Sequence, residues 1–367
     1  MRSLLVAGAG SALIVAVLLA TTRLFPEDAG PGGGPARRPA SDLRAALEPT
    51  PVTRAVDRGL QFLHRAQLAD GSWLSSMGKN TGIIGLAAMA FLAAGHEPGR
   101  GPYGQTVDRA VAFLIEHQRE GMIVTADTSH GPMYEHGIAT LLFGEVLGMV
   151  NEERPGFEKL PRVHRSAVNL ILRAQNVPRD PVNLGGWRYT PSSNDADLSV
   201  TGWELLALRA AEDAGLSVPK KNIEQAVLYV KRCVHPSGGF GYMPGQEPNI
   251  ARTGTGVLSL QICGDFRSQE ALRGGDWLLK NSLEWKGPFF YYSVYYSTQA
   301  MFQLGGTYWE RWRPESQGIL LERQKEDGSW PAPPDETHEH QAGPTYTTAM
   351  AVLSLTVDYR YLPIYQR

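Results

Sequence analysis

The chain has 367 residues, 43% of them apolar and 20% charged, which is material for one large hydrophobic core or two modest domains and is unlike a disordered composition. Its formal net charge is -2, and Lys and Arg are scattered along its length. No concentrated positive field results, which excludes nucleic-acid binding as a function.

The N-terminus reads Arg2, then an apolar run from Leu4 to Ala20, then Arg23. The run is slightly short for a spanning helix, so residues 1–25 are expected to be a signal peptide or a membrane anchor. No small-x-small cleavage pattern precedes Arg23, where the chain reads Leu18-Leu19-Ala20-Thr21-Thr22, and an uncleaved anchor is favoured. Residues 26–46 are rich in Pro, Gly and Ala and read as a linker, because they cannot bury enough apolar surface to offset the entropy of ordering. The folded domain is expected over 47–367, outside the cytoplasm, either membrane-anchored in the cell envelope or exported.

From there the chain alternates two kinds of helical pattern. One is apolar on a single face, as in Ala55, Val56, Gly59, Leu60, Leu63 and Ala66, or Val107, Ala110, Val111 and Leu114. The other is apolar nearly all round, as in 81–92 and 347–355, and such a helix must be buried. Further buried helices are expected to start near His136, Val200, Thr253 and Tyr296, with Gly137, Gly202, Gly254, Gly256 and Ala300 admitting close neighbours. Between the two kinds of helix a turn recurs: Gln67-Leu-Ala-Asp-Gly-Ser-Trp73 returns as Gln324-Lys-Glu-Asp-Gly-Ser-Trp330, with weaker copies around Gln118, Gln175, Cys233 and Asn281. Each Gln is expected to bond orphan carbonyls at a helix end while the Trp packs across the turn. Closing such pairs into a ring satisfies both patterns, so the expected fold is all-α, an (α/α)6 toroid of about six helix pairs. Cys233 and Cys263 would lie at opposite ends of one pair, and no bridge is expected.

Arg58-Gly59, Phe62-Leu63, Gln67 and Gly71-Ser72-Trp73 resemble the QW motif of squalene-hopene and oxidosqualene cyclases, and Gln324 to Trp330 is similar to its second half. The resemblance covers about residues 52–367 and points to the squalene-cyclase/prenyltransferase repeat family, in a single-toroid form that is exported or membrane-tethered. Related rings serve several chemistries, so each site motif has to be sought separately. The Gly-Cys-Gly-Glu-Gln of thioester domains does not occur. Neither the Asp-x-Cys nor the Cys-His zinc pattern occurs, so no metal and no cofactor is expected. Asp335-Glu336-Thr-His338-Glu339-His340 is Pro-flanked, lacks i, i+4 spacing, and reads as a solvated loop.

Class II terpene cyclases carry Asp-x-Asp-Asp at the head of an inner helix, and this chain has Asp195-Ala196-Asp197-Leu198. Protonating an alkene needs a carboxylic acid kept neutral by burial or by a second carboxylate. By this correspondence Asp197 is the candidate donor, with Asp195 beside it; a cap on the next helix by Asp197 or Ser199 is the structural alternative. His136 could relay a proton beside Glu135 or Asp197. A shared cavity at the inner-helix starts is expected to use Tyr134, Glu135, Trp187, Tyr189, Trp203, Arg252, Tyr295, Tyr296 and Tyr346, whose aromatic faces would stabilise positive charge. Thr253-Gly-Thr-Gly256 lacks a strand-loop-helix setting and reads as helix packing.

The resemblance implies an isoprenoid- or terpenoid-handling protein whose partner is a hydrophobic, lipid-like small molecule, with isomerase- or lyase-type cyclisation if it turns over. Residues for a second helical domain are lacking, so a protein partner or binding without cyclisation stays open. The alternative is a non-catalytic toroid that binds a lipid, glycan or protein outside the cytoplasm, touching the membrane only through its N-terminal segment. A carbohydrate-active enzyme would need paired carboxylates, for which Glu135 with Asp195 is the candidate pair.

Overall fold

The computed structural model describes residues 49–366 apart from Met77, 126–130 and 151–153. The expected N-terminal segment and linker lie outside the described residues, and among the described residues no helix is long and apolar enough to cross a membrane.

Twelve helices follow one another among the described residues: α1 (Pro51–Ala66), α2 (Thr81–Ala93), α3 (Gly104–Glu116), α4 (Pro132–Met149), α5 (Leu160–Gln175), α6 (Leu198–Asp213), α7 (Lys220–Arg232), α8 (Ile250–Ile262), α9 (Gln269–Leu278), α10 (Phe290–Leu304), α11 (Gly306–Leu321) and α12 (Thr337–Leu355). The even-numbered helices pack side by side in the order α2, α4, α6, α8, α10, α12 and back to α2, forming an inner barrel, and the odd-numbered ones surround it. The expected (α/α)6 toroid is the observed fold. The burial pattern explains the division. All of α2 is buried, whereas α1 buries only the stripe Ala55, Val56, Gly59, Leu60 and Leu63.

The recurring turn sets the spacing of the outer ring. Gln67 Nε2 donates to the carbonyls of Gly71 (3.0 Å) and of Thr106 in the first turn of α3 (2.8 Å). Gln175 does the same to Gly185 (2.8 Å) and to Asn222 at the start of α7 (2.9 Å). Gln324 bonds Gly328 (3.0 Å) and Ala55 of α1 (2.8 Å), tying the last outer helix to the first. Each partner Trp returns its indole N–H to the preceding outer helix: Trp73 to Leu63 (2.7 Å), Trp187 to Ile171 (2.8 Å) and Trp330 to Leu320 (2.8 Å). Gly71 and Gly328 have φ of +91° and +92°, and a Cβ there would fall 2.2 and 2.3 Å from carbonyl oxygens of Arg109 and Arg58. Only glycine fits both the backbone and the close approach.

Close approach also explains the inner glycines: a Cβ on Gly254 of α8 would lie 2.5 Å from the Ser297 amide of α10. At the barrel end where the inner helices finish, the C-terminal turn Pro363–Tyr365 packs against α4 and α6. Ile364 N–H donates to Glu145 Oε1 at 3.3 Å, and the Tyr365 and Tyr295 hydroxyls lie 3.1 Å apart. A two-residue hairpin, Gln118–Arg119 with Met122–Ile123, bridges α3 to α4. Cys233 and Cys263 are both free thiols.

The inner helices begin two to six residues earlier than the apolar pattern indicates, at Pro132, Leu198, Ile250 and Phe290. Their first turns carry polar and tyrosine side chains that do not read as apolar. Tyr295 and Tyr296 consequently sit more than a turn inside α10, not at its mouth.

Gln175→Ala and Gln324→Ala each delete two side-chain donors and should lower stability by about 1–3 kcal/mol in urea unfolding. Gln324→Ala, which alone opens the seam between α11 and α1, should also speed amide exchange selectively in α1.

Candidate functional site

A cavity of about 410 Å³ opens at the end of the barrel where all six inner helices begin. Four of those starts are satisfied by their own cap: Asn80 Oδ1 accepts from Ile83 N–H (3.1 Å), Asp197 Oδ1 from Val200 (2.9 Å), Asn249 Oδ1 from Arg252 (2.8 Å) and Glu336 Oε1 from His338 (3.3 Å). Asn80 also donates through Nδ2 to Glu135 Oε1 at 2.7 Å, joining α2 to α4. Helix α10 starts after Phe289, whose backbone is left-handed and whose side chain caps nothing. Its free amides are taken by Glu339 from the last repeat, whose Oε1 accepts from Tyr291 N–H at 2.7 Å and lies 3.4 Å from that of Tyr292.

Aromatic rings are prominent in the wall. Tyr134 stacks on Tyr189 with centroids 6.0 Å apart, and the Tyr189 and Tyr242 hydroxyls share a short hydrogen bond. Arg188 lies over both of those rings, at 4.6 and 5.4 Å, and Arg252 over Tyr242 at 5.1 Å. Trp203 lines the cavity from α6, with Tyr295 stacked behind it at 5.8 Å and Tyr296 edge-on at 5.2 Å.

Of the residues picked out from sequence, Tyr134, Glu135, Tyr189, Trp203, Arg252 and Tyr346 line this cavity. Tyr295 and Tyr296 are buried behind Trp203, and Trp187 is buried in the recurring turn under α5; none of the three is a lining residue. Asp195 is half-exposed and 3.4 Å from Arg188 Nη1, and Asp197 caps α6 with its second oxygen 3.6 Å from Arg188 Nε. Both aspartates stand outside the lining, so the pairing of Glu135 with Asp195 across one cleft is not what the structure presents. His136 has both ring nitrogens on backbone: Nδ1 accepts from Ile123 N–H (3.2 Å), which leaves Nε2–H to donate to the Ala167 carbonyl (3.2 Å). Burial drives its pKa down to about 4, so the imidazole is neutral at neutral pH.

Glu339 and Tyr242 are among the lining residues that the sequence reading passed over. The run 335–340 is not a solvated loop throughout: Glu336 and Glu339 are buried and Glu339 lines the cavity. The backbone break at Gly343 (φ +79°) and Pro344 separates this short segment from the inner part of α12 and holds it over the barrel end. Tyr242 was legible from register, since Phe240-Gly-Tyr242 repeats Trp187-Arg-Tyr189 with a tyrosine two residues past the turn aromatic.

Burial sets the charges here. It pushes the Glu339 carboxyl up to about 8, a rise to which Glu336 adds and which the Tyr291 and Tyr292 amides limit. It lifts Asp197 to about 6 against the pull of the Val200 amide, Arg188 and the Tyr242 hydroxyl. The Tyr134, Tyr292 and Tyr346 hydroxyls are held far above their usual range by the same desolvation and stay protonated.

Asp197→Asn keeps the cap, whereas Asp197→Ala should cost about 0.5–2 kcal/mol. Because the folded pKa is raised, the stabilising contribution of Asp197 is present below its unfolded value and is lost as pH rises through about 6. Urea unfolding between ~pH 4 and ~pH 7 should show that loss in the parent chain and a flatter profile in Asp197→Asn.

Residues 109–290 match the family model described as "Prenyltransferase alpha-alpha toroid domain". No curated protein matches the sequence. Among solved structures, an inactive alpha-1,6-mannanase GH76A of Salegentibacter sp. HEL1_6 in complex with alpha-1,6-mannotriose is 9% identical, with 84% of this chain and 100% of that one covered at a TM-score of 0.61. Candida albicans protein geranylgeranyltransferase-I complexed with GGPP is 14% identical, with 84% and 94% covered at 0.52. A glycosidase in complex with glucose is 12% identical, with 88% and 99% covered at 0.55. At these identities the likeness is one of fold, an alpha-alpha toroid, and residues 109–290 resemble the family model in the same sense.

Proposed function

We propose that this toroid binds an elongated apolar molecule of isoprenoid type, with its chain against Trp203, Tyr292 and Tyr346 in the end cavity. The observation that carries the reading is the cavity itself: about 410 Å³, bordered by Tyr134, Tyr189, Trp203, Tyr242, Tyr292 and Tyr346. That is the size and character of a small-molecule pocket, apolar with a few convergent polar groups. The QW-like turns at Gln67–Trp73 and Gln324–Trp330 agree with it, as does the GGPP held by the geranylgeranyltransferase of similar fold.

If the bound chain is also cyclised, the acid proposed is Asp197, with Asp195 beside it on Arg188. Its path to the cavity runs through the Tyr242 hydroxyl and on to that of Tyr189. His136 then acts as a neutral post behind the wall. Anchoring by residues 1–25, with the ring outside the cytoplasm, is proposed from the apolar run alone.

A second reading, a glycan site, is favoured by one observation: Glu135 and Glu339 are both buried carboxyl residues of the same cavity. The alpha-1,6-mannanase of similar fold holds alpha-1,6-mannotriose.

The test is incubation of residues 47–367 with squalene and linear prenyl compounds, followed by gas chromatography, with alpha-1,6-mannotriose in a parallel assay. The expected result is saturable prenyl binding that Trp203→Ala weakens at least about tenfold, the loss expected of a buried aromatic contact. Cyclised product lost in Asp197→Asn would establish the acid; mannotriose binding in place of prenyl binding would replace the isoprenoid reading with the glycan one. Cell fractionation of the full chain should place it in the membrane fraction, and removal of residues 1–25 should release it.

A further inference from the structure

Glu339 is held in an unusual way. One carboxyl oxygen is occupied by amides at the start of α10, at 2.7 and 3.4 Å. The other is buried and meets no hydrogen-bond partner, although the residue borders the cavity and is only 2% exposed. A buried polar oxygen left unpaired is destabilising unless something completes it. We propose that Glu339 is a ligand-binding carboxylic acid, whose Oε2–H donates to an uncharged oxygen, of alcohol, ether or carbonyl type, on an otherwise apolar chain in the cavity. This rests on the isoprenoid reading above and narrows its ligand class.

The surroundings decide the protonation state. Glu336 and His338 stand on its own segment, Tyr346 on the inner part of α12, Tyr292 on α10, Glu135 on α4 and Arg252 on α8. Arg252 is laid over Tyr242 and directed to the Glu247 carbonyl at 3.4 Å, and Glu135 is held by Asn80. Neither neutralises Glu339, and Glu336 opposes its ionisation, so burial prevails and the carboxyl keeps its proton to about pH 8. The amides at Oε1 accept nothing, so they fix which oxygen bears the proton: Oε1 must accept, and the hydrogen lies on Oε2. A diphosphate head would need several cationic donors. Among the described residues, the cavity lining offers Arg252 and His338 as cationic donors.

The probe is geranylgeraniol, with geranylgeranyl diphosphate as its charged counterpart, titrated into residues 47–367 by tryptophan fluorescence. Affinity for the alcohol should fall ~10–30-fold from ~pH 6.5 to ~pH 9.5 as one proton is lost, and the diphosphate should bind at least about tenfold more weakly at ~pH 6.5. Glu339→Gln keeps an acceptor for the α10 amides and an N–H donor for the ligand. It should bind the alcohol within about threefold of the parent at ~pH 6.5 and lose the pH dependence, a result that a merely structural role would not give. An infrared difference spectrum of parent against variant without ligand should contain a neutral-carboxyl band at ~pH 6.5 that shifts when geranylgeraniol is added. A missing or unshifted band, or equal pH profiles in parent and variant, overturns the assignment of Glu339 alone. Preference for the diphosphate overturns the ligand class, and no binding of either probe overturns the isoprenoid reading and this inference with it.

Discussion

The Gln324 side chain closes the ring. Its amide donates to Gly328 within its own turn and to Ala55 in the first outer helix, across 269 positions of sequence. Every inner helix depends on that closure, because a helix apolar on all sides needs neighbours on all sides. The same device at Gln67 and Gln175 makes the ends of α1 and α5 specify where α3 and α7 begin. The turn is thus a joint with two fixed bonds and a Trp wedge, and a ring results from repeating it.

Closure has a consequence for chemistry. With all inner helices running the same way, six N-termini meet at one end and six C-termini at the other. The C-terminal end is occupied by the chain's own tail, where Ile364 and Tyr365 are buried against α4 and α6. The N-terminal end receives the turn residues that carry Tyr189 and Tyr242 and the short segment that carries Glu339. A cavity bordered by aromatic rings and carboxyls arises there because that is where each repeat leaves the barrel wall and polar first-turn side chains are needed as caps.

Those caps are what makes the site electrostatically unusual. Carboxyls placed to satisfy backbone donors are withdrawn from water, so Asp197 and Glu339 are both pushed upward, to about 6 and about 8. The difference follows from their neighbours: Asp197 has Arg188 at 3.6 Å, and Glu339 has Glu336. Structural duty and acid strength are thus coupled in one side chain.

The alternation of one-sided and all-round apolar helices, the repeated Gln–Gly–Trp turn and the glycines of the inner helices determined the toroid from sequence alone, because each is a local statement about burial. Tyr134, Glu135, Tyr189, Trp203, Arg252 and Tyr346 were also within reach, since they lie near recognisable helix starts. Tertiary structure decided the rest. Tyr295 and Tyr296 fell behind the wall because α10 begins a turn and a half earlier than its apolar residues suggest. His136 and Trp187 turned to backbone carbonyls of α5, a partner no local pattern names. Glu339 looked solvated because a Pro-rich acidic run is usually wet; the break at Gly343 and the uncapped start of α10, more than forty residues away in sequence, carried it into the barrel end. Burial of a polar side chain depends on what arrives from elsewhere in the chain, and that only the folded ring supplies.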